Sequence, residues 1–340
     1  VTGGLDSRRA WLTVVGAFFS SGITLGTAYS FGAFFESMAE EFDAARGATA
    51  VIFGITTFSF FWLGIGTGRM VDRFGPRPVL ALGAASLLVG LLATAEVQSL
   101  TAGYLTYGAG VGVAAACGYV PMVAVVGAWF ERSRAVAVGV AVAGIGVGTL
   151  VLSPLAAALI DAYGWRDTYR IFAIGGAAVL LACVPLMDRP PVHAQAANRP
   201  YLDAFGSPVF RRLITSALCL ALGLFVPFVF VGQYAKDRGV GAVQASILVG
   251  VLGGSSVLAR VGFGSLVRRF GSFRLYRVCF VSHSLSFLVW LMAGSSFTAL
   301  VVFVIVLGVG YGGFVALSPI VLSDLLGVVG LGKMLGVFYT

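Results

Sequence analysis

Apolar runs of about 20 residues, long enough to cross a bilayer as a helix, recur along this chain from one end to the other. They fall at roughly 10–35, 48–70, 78–97, 100–129, 134–160, 166–187, 210–235, 243–267, 273–293 and 297–323. An eleventh begins near Leu331, and the sequence ends within it at Thr340. Hydrocarbon offers no partner to backbone N–H and C=O groups, so such runs must close their own hydrogen bonds as helices. Composition agrees with this. The 340 residues are 59% hydrophobic and 11% charged, with a mean hydropathy of +0.97, whereas soluble domains are about 25% charged. The expectation is an all-α membrane protein with about ten complete spans and part of an eleventh.

The charges lie between the spans and carry the orientation. One set of loops holds Arg8, Arg9, Arg69, Arg73, Arg77, Arg132, Arg134, Arg189, Arg199, Arg211, Arg212, Arg268, Arg269, Arg274, Arg277 and Lys333. The opposite set holds only Arg46, Arg166, Arg170, Lys236 and Arg238. Basic loops stay on the cytoplasmic side, so the N-terminus and the central loop are expected in the cytoplasm, with the protein in the cell inner (cytoplasmic) membrane. The formal charge of +8 is thereby a topology signal, and no nucleic-acid partner is expected. The N-terminal apolar segment is too long for a signal-peptide core. Cys117, Cys183, Cys219 and Cys279 sit in apolar runs without a CxxC spacing, and His193 and His283 are far apart. No metal site, cofactor or catalytic triad is expected, and the chain does not read as an enzyme.

The sequence repeats. Gly68, Asp72, Arg73, Phe74, Gly75 and Arg77 form one loop string, and Gly264, Arg268, Arg269, Phe270, Gly271 and Arg274 echo it. Gly264 follows Gly68, Arg269 follows Arg73 and Gly271 follows Gly75 by the same 196 residues. Gly110, Gly112 and Pro121 match Gly308, Gly310 and Pro319 at 198 residues. Two such matches point to two pseudo-symmetric six-helix halves related by an axis along the membrane normal. The expected division is 1–187 for the first half, 188–208 for a Pro-rich cytoplasmic linker and 209–340 for the second half, which holds helices seven to ten and the start of eleven.

The Gly68-to-Arg77 loop resembles the signature of the major facilitator superfamily between its second and third helices. Within it the chain resembles the monocarboxylate transporter family, as a bacterial-type member that stops inside helix eleven. That resemblance rests on Trp11 to Phe18 in the first span, on Trp129 to Gly139 with Ala143, Gly144 and Gly148, and on Gly164-Trp165-Arg166 with Tyr169. It extends to Tyr234 to Asp237 with Gly239, and to Gly308 to Gly313 with Pro319, Asp324 and Gly327. It implies twelve helices, both termini cytoplasmic, and transport of small monocarboxylates, with a coupled proton as a possible second partner.

Arg260 is the sharpest site candidate. An arginine within a span costs roughly 2.5–3.5 kcal/mol on insertion scales, so it must face a wet cavity or a partner, or else snorkel to the nearby helix end. Its forked donors suit a carboxylate. The family's eighth helix carries an arginine at this place, which implies that Arg260 binds the substrate anion. The family's acid one turn earlier is Ser256 here, and its first-helix lysine is Tyr29. Proton symport, uniport and exchange of related organic anions, of the oxalate-for-formate kind, therefore all stay open. A drug exporter of the same superfamily is the reading from another substrate class, although no embedded acid is visible. Tyr29 and Tyr119 are expected to reach the substrate, Tyr119 beside the bend that Pro121 imposes. Tyr311 and Tyr339 are further candidates. Gln233 and Tyr234 sit where an entrance could be gated. Gly68, Asp72, Arg73, Gly75, Arg77, Arg134 and Asp324 are expected to act in conformational gating through cytoplasmic latches: Asp72 with Arg73 and Arg77, Glu131 with Arg132 and Arg134, and Asp324 with Lys333.

Overall fold

The computed structural model describes residues 4–190, 207–326 and 338. Among these residues every regular element is a helix and no strand occurs. The first crossing is α1 (Arg8–Tyr29) followed by α2 (Phe31–Glu41), with Ser30 between them at φ −77°, ψ −4°. It runs on to Glu41 instead of stopping near 35. The Ser7 hydroxyl caps α1 by accepting the Ala10 N–H. Then come α3 (Arg46–Phe74) and α4 (Pro76–Ala95). The fourth crossing is assembled from α5 (Leu100–Gly103), a π-helical segment Tyr104–Ala109, α6 (Gly110–Gly118) and α7 (Val120–Trp129). α8 (Arg134–Cys183) is followed by α9 (Pro208–Asp237), α10 (Ala242–Phe270), α11 (Ser272–Ala293) and α12 (Phe297–Leu326).

Nine helical segments among the described residues are long and apolar enough to cross a membrane, and the longest, Val136–Leu186, has 51 residues. At 1.5 Å per residue that is about 76 Å, over twice a ~30 Å hydrocarbon core. Gly164 breaks it at φ 79°, ψ 165°, which separates the expected fifth and sixth spans. The expected eleventh span lies outside the described residues. Large apolar side chains cover the surface: Leu105, Leu222, Leu258, Leu291 and Met292 are each more than 70% exposed. Water would penalise such a belt, and lipid accepts it.

The repeat is visible in the backbone. Gly75 closes α3 at φ 90°, ψ 170°, and Gly271 closes α10 at φ 80°, ψ 147°. Both positions need the left-handed region, which glycine enters without steric cost. Helix packing follows the same interval. A Cβ on Gly112 would meet Ser59 at 2.5 Å and the Thr56 carbonyl at 2.8 Å; one on Gly308 would meet Ser255 at 1.9 Å and the Leu252 carbonyl at 2.5 Å. These contacts pair Gly112 with Gly308 at 196 residues, not at the 198 that pairs Gly112 with Gly310 by sequence. The π-helical segment and the break at Tyr119 lie in the fourth crossing alone, which explains how a sequence alignment slips there.

The first part of α8 is gripped on two faces. Gly144 and Gly148 lie on α1, where an added Cβ would stand 2.0 Å from the Phe18 carbonyl oxygen and 2.1 Å from that of Gly22. Gly146 points the other way, toward α10, where its Cβ would stand 2.6 Å from the Gly253 carbonyl and 2.3 Å from Val257. Small residues at helical spacing are what allow backbones to close to this distance in a membrane. α8 is thus the element through which the chain before residue 191 touches α10.

Candidate functional site

Arg260 sits on α10 below that contact and is 3% exposed. Its Nη1 donates to the Val142 carbonyl of α8 at 2.5 Å. Nε and Nη2 are buried and have no hydrogen-bond partner. No ion pair involves Arg260 among the described residues, and the side chain does not snorkel to a helix end. Its guanidinium carbon lies 5.4 Å from the centre of the Tyr311 ring, a cation–π contact that orients the charge without consuming its donors.

Three of the expected tyrosines gather around it, each from a different helix. Tyr311 of α12 holds the ring over Arg260, and its hydroxyl lies 3.3 Å from the hydroxyl of Tyr29, the last residue of α1. Tyr119 is within electrostatic reach of both Tyr311 and Arg260. It stands at the break between α6 and α7, with φ −115°, ψ −81°. Pro121 has no N–H to give to the Cys117 carbonyl, and its ring pushes on the preceding turn, so the helix parts there. The Ser20 hydroxyl takes up one neighbouring carbonyl, that of Gly118, at 2.7 Å. Tyr339 lies outside the described residues.

An aromatic layer lies against the tyrosines, and the sequence reading missed it. Tyr29 stacks on Phe228 of α9 with centroids 4.3 Å apart. Phe225, also of α9, meets Phe53 and Phe61 of α3 at 6.1 and 6.2 Å. Beyond this layer, at the Arg46 end of the bundle, charges pair between α2 or α3 and α9. Lys236 Nζ donates to Glu36 Oε2 at 2.5 Å. Arg46 holds Asp237 with two bonds of 2.6 and 2.9 Å. Gln233 donates to Asp237 at 3.0 Å and to Glu36 at 3.5 Å, and so links the two pairs. Of these five residues, only Gln233 was read as a gate. Arg46 reads in the sequence as a loop charge, and Lys236 and Asp237 as part of the family-like end of the seventh span; the one signal joining them to Glu36 is opposite sign at ends that topology places together.

At the other end the expected latches take different partners. Arg77 pairs with Asp188 at 2.7 Å and donates to the Met187 carbonyl at 2.9 Å. Arg9 pairs with the same carboxylate. Arg189 donates to the Arg73 carbonyl at 3.0 Å and packs over Gly75. Asp324 accepts the Ser272 hydroxyl at 2.5 Å. Asp72 is exposed, and Gly68 has open space around it. Lys333 and the Arg134 side chain lie outside what is described. Arg77 therefore does not latch onto Asp72: it pairs with Asp188, just past the end of the sixth crossing, and Arg9 shares that carboxylate.

A helical bundle with matched glycine junctions and a buried arginine with two unpartnered nitrogens narrows the field, and the family comparison decides it. Residues 15–340 match the Major Facilitator Superfamily. The chain belongs to that superfamily. Monocarboxylate transporter 4 of Rattus norvegicus is 31% identical over 339 residues, covering 95% of this chain and 71% of that protein. Monocarboxylate transporter 12 of Xenopus laevis is 29% identical over 367 residues, covering 98% of this chain and 79% of that one. Among solved structures, the D-xylose–proton symporter aligns with a TM-score of 0.72 at 16% identity, over 96% of this chain and 85% of that one. At that identity the likeness is one of fold. The protein is a membrane transporter and not an enzyme.

Proposed function

We propose that this protein carries small monocarboxylate anions across the cell inner membrane by alternating access, with Arg260 binding the substrate carboxylate. The observation that carries the reading is the pair of buried, unpartnered donors on Arg260. A buried donor left unmade costs about 1–3 kcal/mol, and more when it is charged. A carboxylate satisfies both at once and neutralises the charge. The tyrosine hydroxyls at Tyr29, Tyr119 and Tyr311 border the same place and are the donors left for the rest of a small acid. The relatives named for monocarboxylate transport support the substrate class.

Two halves, 1–187 and 209–340 joined by the linker 188–208, rock about this site in the proposed cycle. The positive-inside bias makes the Glu36–Arg46 end the outer one. The conformer seen here is then shut outside by two ion pairs and an aromatic layer, and Gly68, Asp72, Gly75, Arg134 and Asp324 act where the inner end opens and closes, with Arg73 and Arg77 bracing the first half there through Arg189 and Asp188.

Uptake of labelled pyruvate or lactate into vesicles holding the protein tests the reading. We expect Arg260→Lys to lower uptake at least about tenfold, because one point charge replaces a two-pronged donor, and Arg260→Gln to lower it about a hundredfold. Parent-like uptake by Arg260→Gln refutes the site. No carboxylate interacts with Arg260 among the described residues, which favours organic anion exchange as the second reading. Trans-stimulation without any effect of a pH gradient would select it.

A further inference from the structure

His283 lies in the middle of α11 and is 7% exposed, and both of its ring nitrogens are buried without a hydrogen-bond partner. A neutral imidazole carries one donor and one acceptor, and burying both unmade is costly. The nearby Ser286 hydroxyl does not serve the ring, because it is spent on the His283 carbonyl at 2.6 Å. The ring faces Phe287 edge-on at 5.3 Å. From α9, Gly223 opens the space beside Nε2, 3.5 Å from where its Cβ would stand. From α12, Gly310 presses on the α11 backbone, with its Cβ position 3.1 Å from the His283 nitrogen. Among the described residues no charged side chain acts on the imidazole. The titratable neighbours are Cys279 one turn earlier, whose thiol bonds the Leu275 carbonyl, and Tyr311 beside Gly310, whose ring turns to Arg260.

This placement matters because the site around Arg260 holds no carboxylate partner. Arginine does not deprotonate in proteins, and tyrosine does so near pH 10. Histidine is the side chain whose ordinary titration falls between pH 5 and 8. Among the described residues His283 is the histidine present, and it is deep in a crossing. It is separated from the substrate arginine by one backbone contact and one residue: α11 touches Gly310, and Tyr311 next to it holds its ring over Arg260. A proton on His283 would add a second donor with no acceptor among the described groups around it, beside the place where Gly310 of α12 bears on α11.

We infer that His283 is the proton-binding group of the transport cycle, taking a proton from water in the conformer opposite to this one and giving it back to water before the ring is sealed, neutral, as it is here. The proton adds to a ring nitrogen to make imidazolium and leaves the same ring, so no other group changes and no electrons move. The inference rests on the proposed carriage of monocarboxylates, because it concerns the ion that accompanies them. The apolar, partnerless surroundings seen here suit the neutral form, and an anion on Arg260 entering with a proton on His283 moves no net charge.

The experiment uses the full chain in vesicles with labelled pyruvate and compares the parent with His283→Gln and His283→Phe. Counterflow exchange needs no net proton movement; uptake driven by an inward proton gradient does. We expect His283→Gln to keep counterflow within about twofold and to lose at least tenfold of the gradient-driven stimulation. Parent-like stimulation in either variant overturns the inference. A parent with counterflow but no response to a proton gradient also overturns it, while leaving the substrate reading intact. A parent with no counterflow of any monocarboxylate overturns the substrate reading, and the proton role with it. A variant that fails to fold is bypassed by nitrogen-15 histidine NMR on a His193→Gln chain. There the one remaining imidazole is expected to gain a proton as pH is lowered, and a ring that stays neutral at every pH at which the chain remains folded refutes the assignment.

Discussion

The two ends of the bundle hold their charges in opposite ways. At the Glu36 end the pairs Glu36–Lys236 and Arg46–Asp237 join elements before residue 191 to elements after 206. At the Asp188 end, Arg9 and Arg77 both bind Asp188, and Arg189 reaches the Arg73 carbonyl, all before residue 191. Pairs that cross between the two parts must break before that end opens. Pairs confined to one part brace it as a rigid body and survive the motion. Charge alone does not tell a latch from a brace; the partner does.

The largest effect is expected where the two parts meet between the ends. Gly146 and Gly253 touch through backbone, each blocked by the other's carbonyl within 2.7 Å of an added Cβ. Gly146→Val puts branched bulk into that contact and must part α8 from α10, carrying Val142 away from Arg260. Pyruvate uptake should fall at least about tenfold, as overpacking of a tight contact costs roughly 1–3 kcal/mol. Gly139→Val, on the same helix where nothing lies within 4 Å of a Cβ, should transport like the parent. Equal losses in both would show that α8 tolerates no change anywhere, and the Gly146–Gly253 contact would have no special role.

Next comes the latch itself. Glu36→Gln with Asp237→Asn removes both crossing pairs. These side chains are between 27% and 60% exposed, so each pair is worth about 0.2–1 kcal/mol after screening. Together they should shift the balance of conformers about two- to thirtyfold toward the state open at this end. Distances between spin labels placed across the two ends report that shift. Swapping charges in Glu36→Lys with Lys236→Glu should restore the parent balance. The brace predicts the reverse pattern. Asp188→Asn should lower thermal stability in detergent by about 1 kcal/mol and leave the label distances unchanged.

The outline of this bundle was legible because its causes are local. Twenty-residue apolar runs, loop arginines and the glycines at 75 and 271 each act within a few residues of themselves. Arg260 stood out because a charge within a span has few explanations. Tyr119 is reachable through the proline bend, Tyr311 through its glycine-rich span and Tyr29 through the place of the family's first-helix lysine, and they do converge. The aromatic layer was not legible, since Phe53, Phe225 and Phe228 look like any lipid-facing phenylalanine until helices are placed side by side. The latch was hidden for the same reason. Its partners lie 191 and 200 residues apart, and only the approach of α9 to α2 and α3 makes them neighbours. The pairing of Arg77 with Asp188 shows the converse: a motif identifies its residues, whereas the chain's path chooses their partners.

The smallest expected effect also separates brace from latch, and it does so by pH. Asp6 stands before α1 with φ 56° and reaches across to the start of α8. Its carboxylate accepts the N–H groups of Glu131 at 3.1 Å, Arg132 at 3.2 Å and Ser133 at 3.1 Å. It therefore supplies from a distant segment the negative cap that a helix N-terminus favours. Burial works to raise its titration, but the three N–H donors and the nearby Arg132 outweigh it and hold the carboxyl below its ordinary value. A carboxylate that is more acidic when folded adds stability above its unfolded pKa, near 3.9, and that contribution disappears as pH falls through the folded value. Asp6→Asn keeps a residue that tolerates the positive φ but removes the charge. Its melting temperature in detergent should lie slightly below the parent's at pH 7, and the two curves should converge as pH drops below about 4. A gap that stays constant with pH would mean that shape, not charge, fastens the N-terminus. A change in the balance of conformers would mean that Asp6 belongs with the latch and not with the brace.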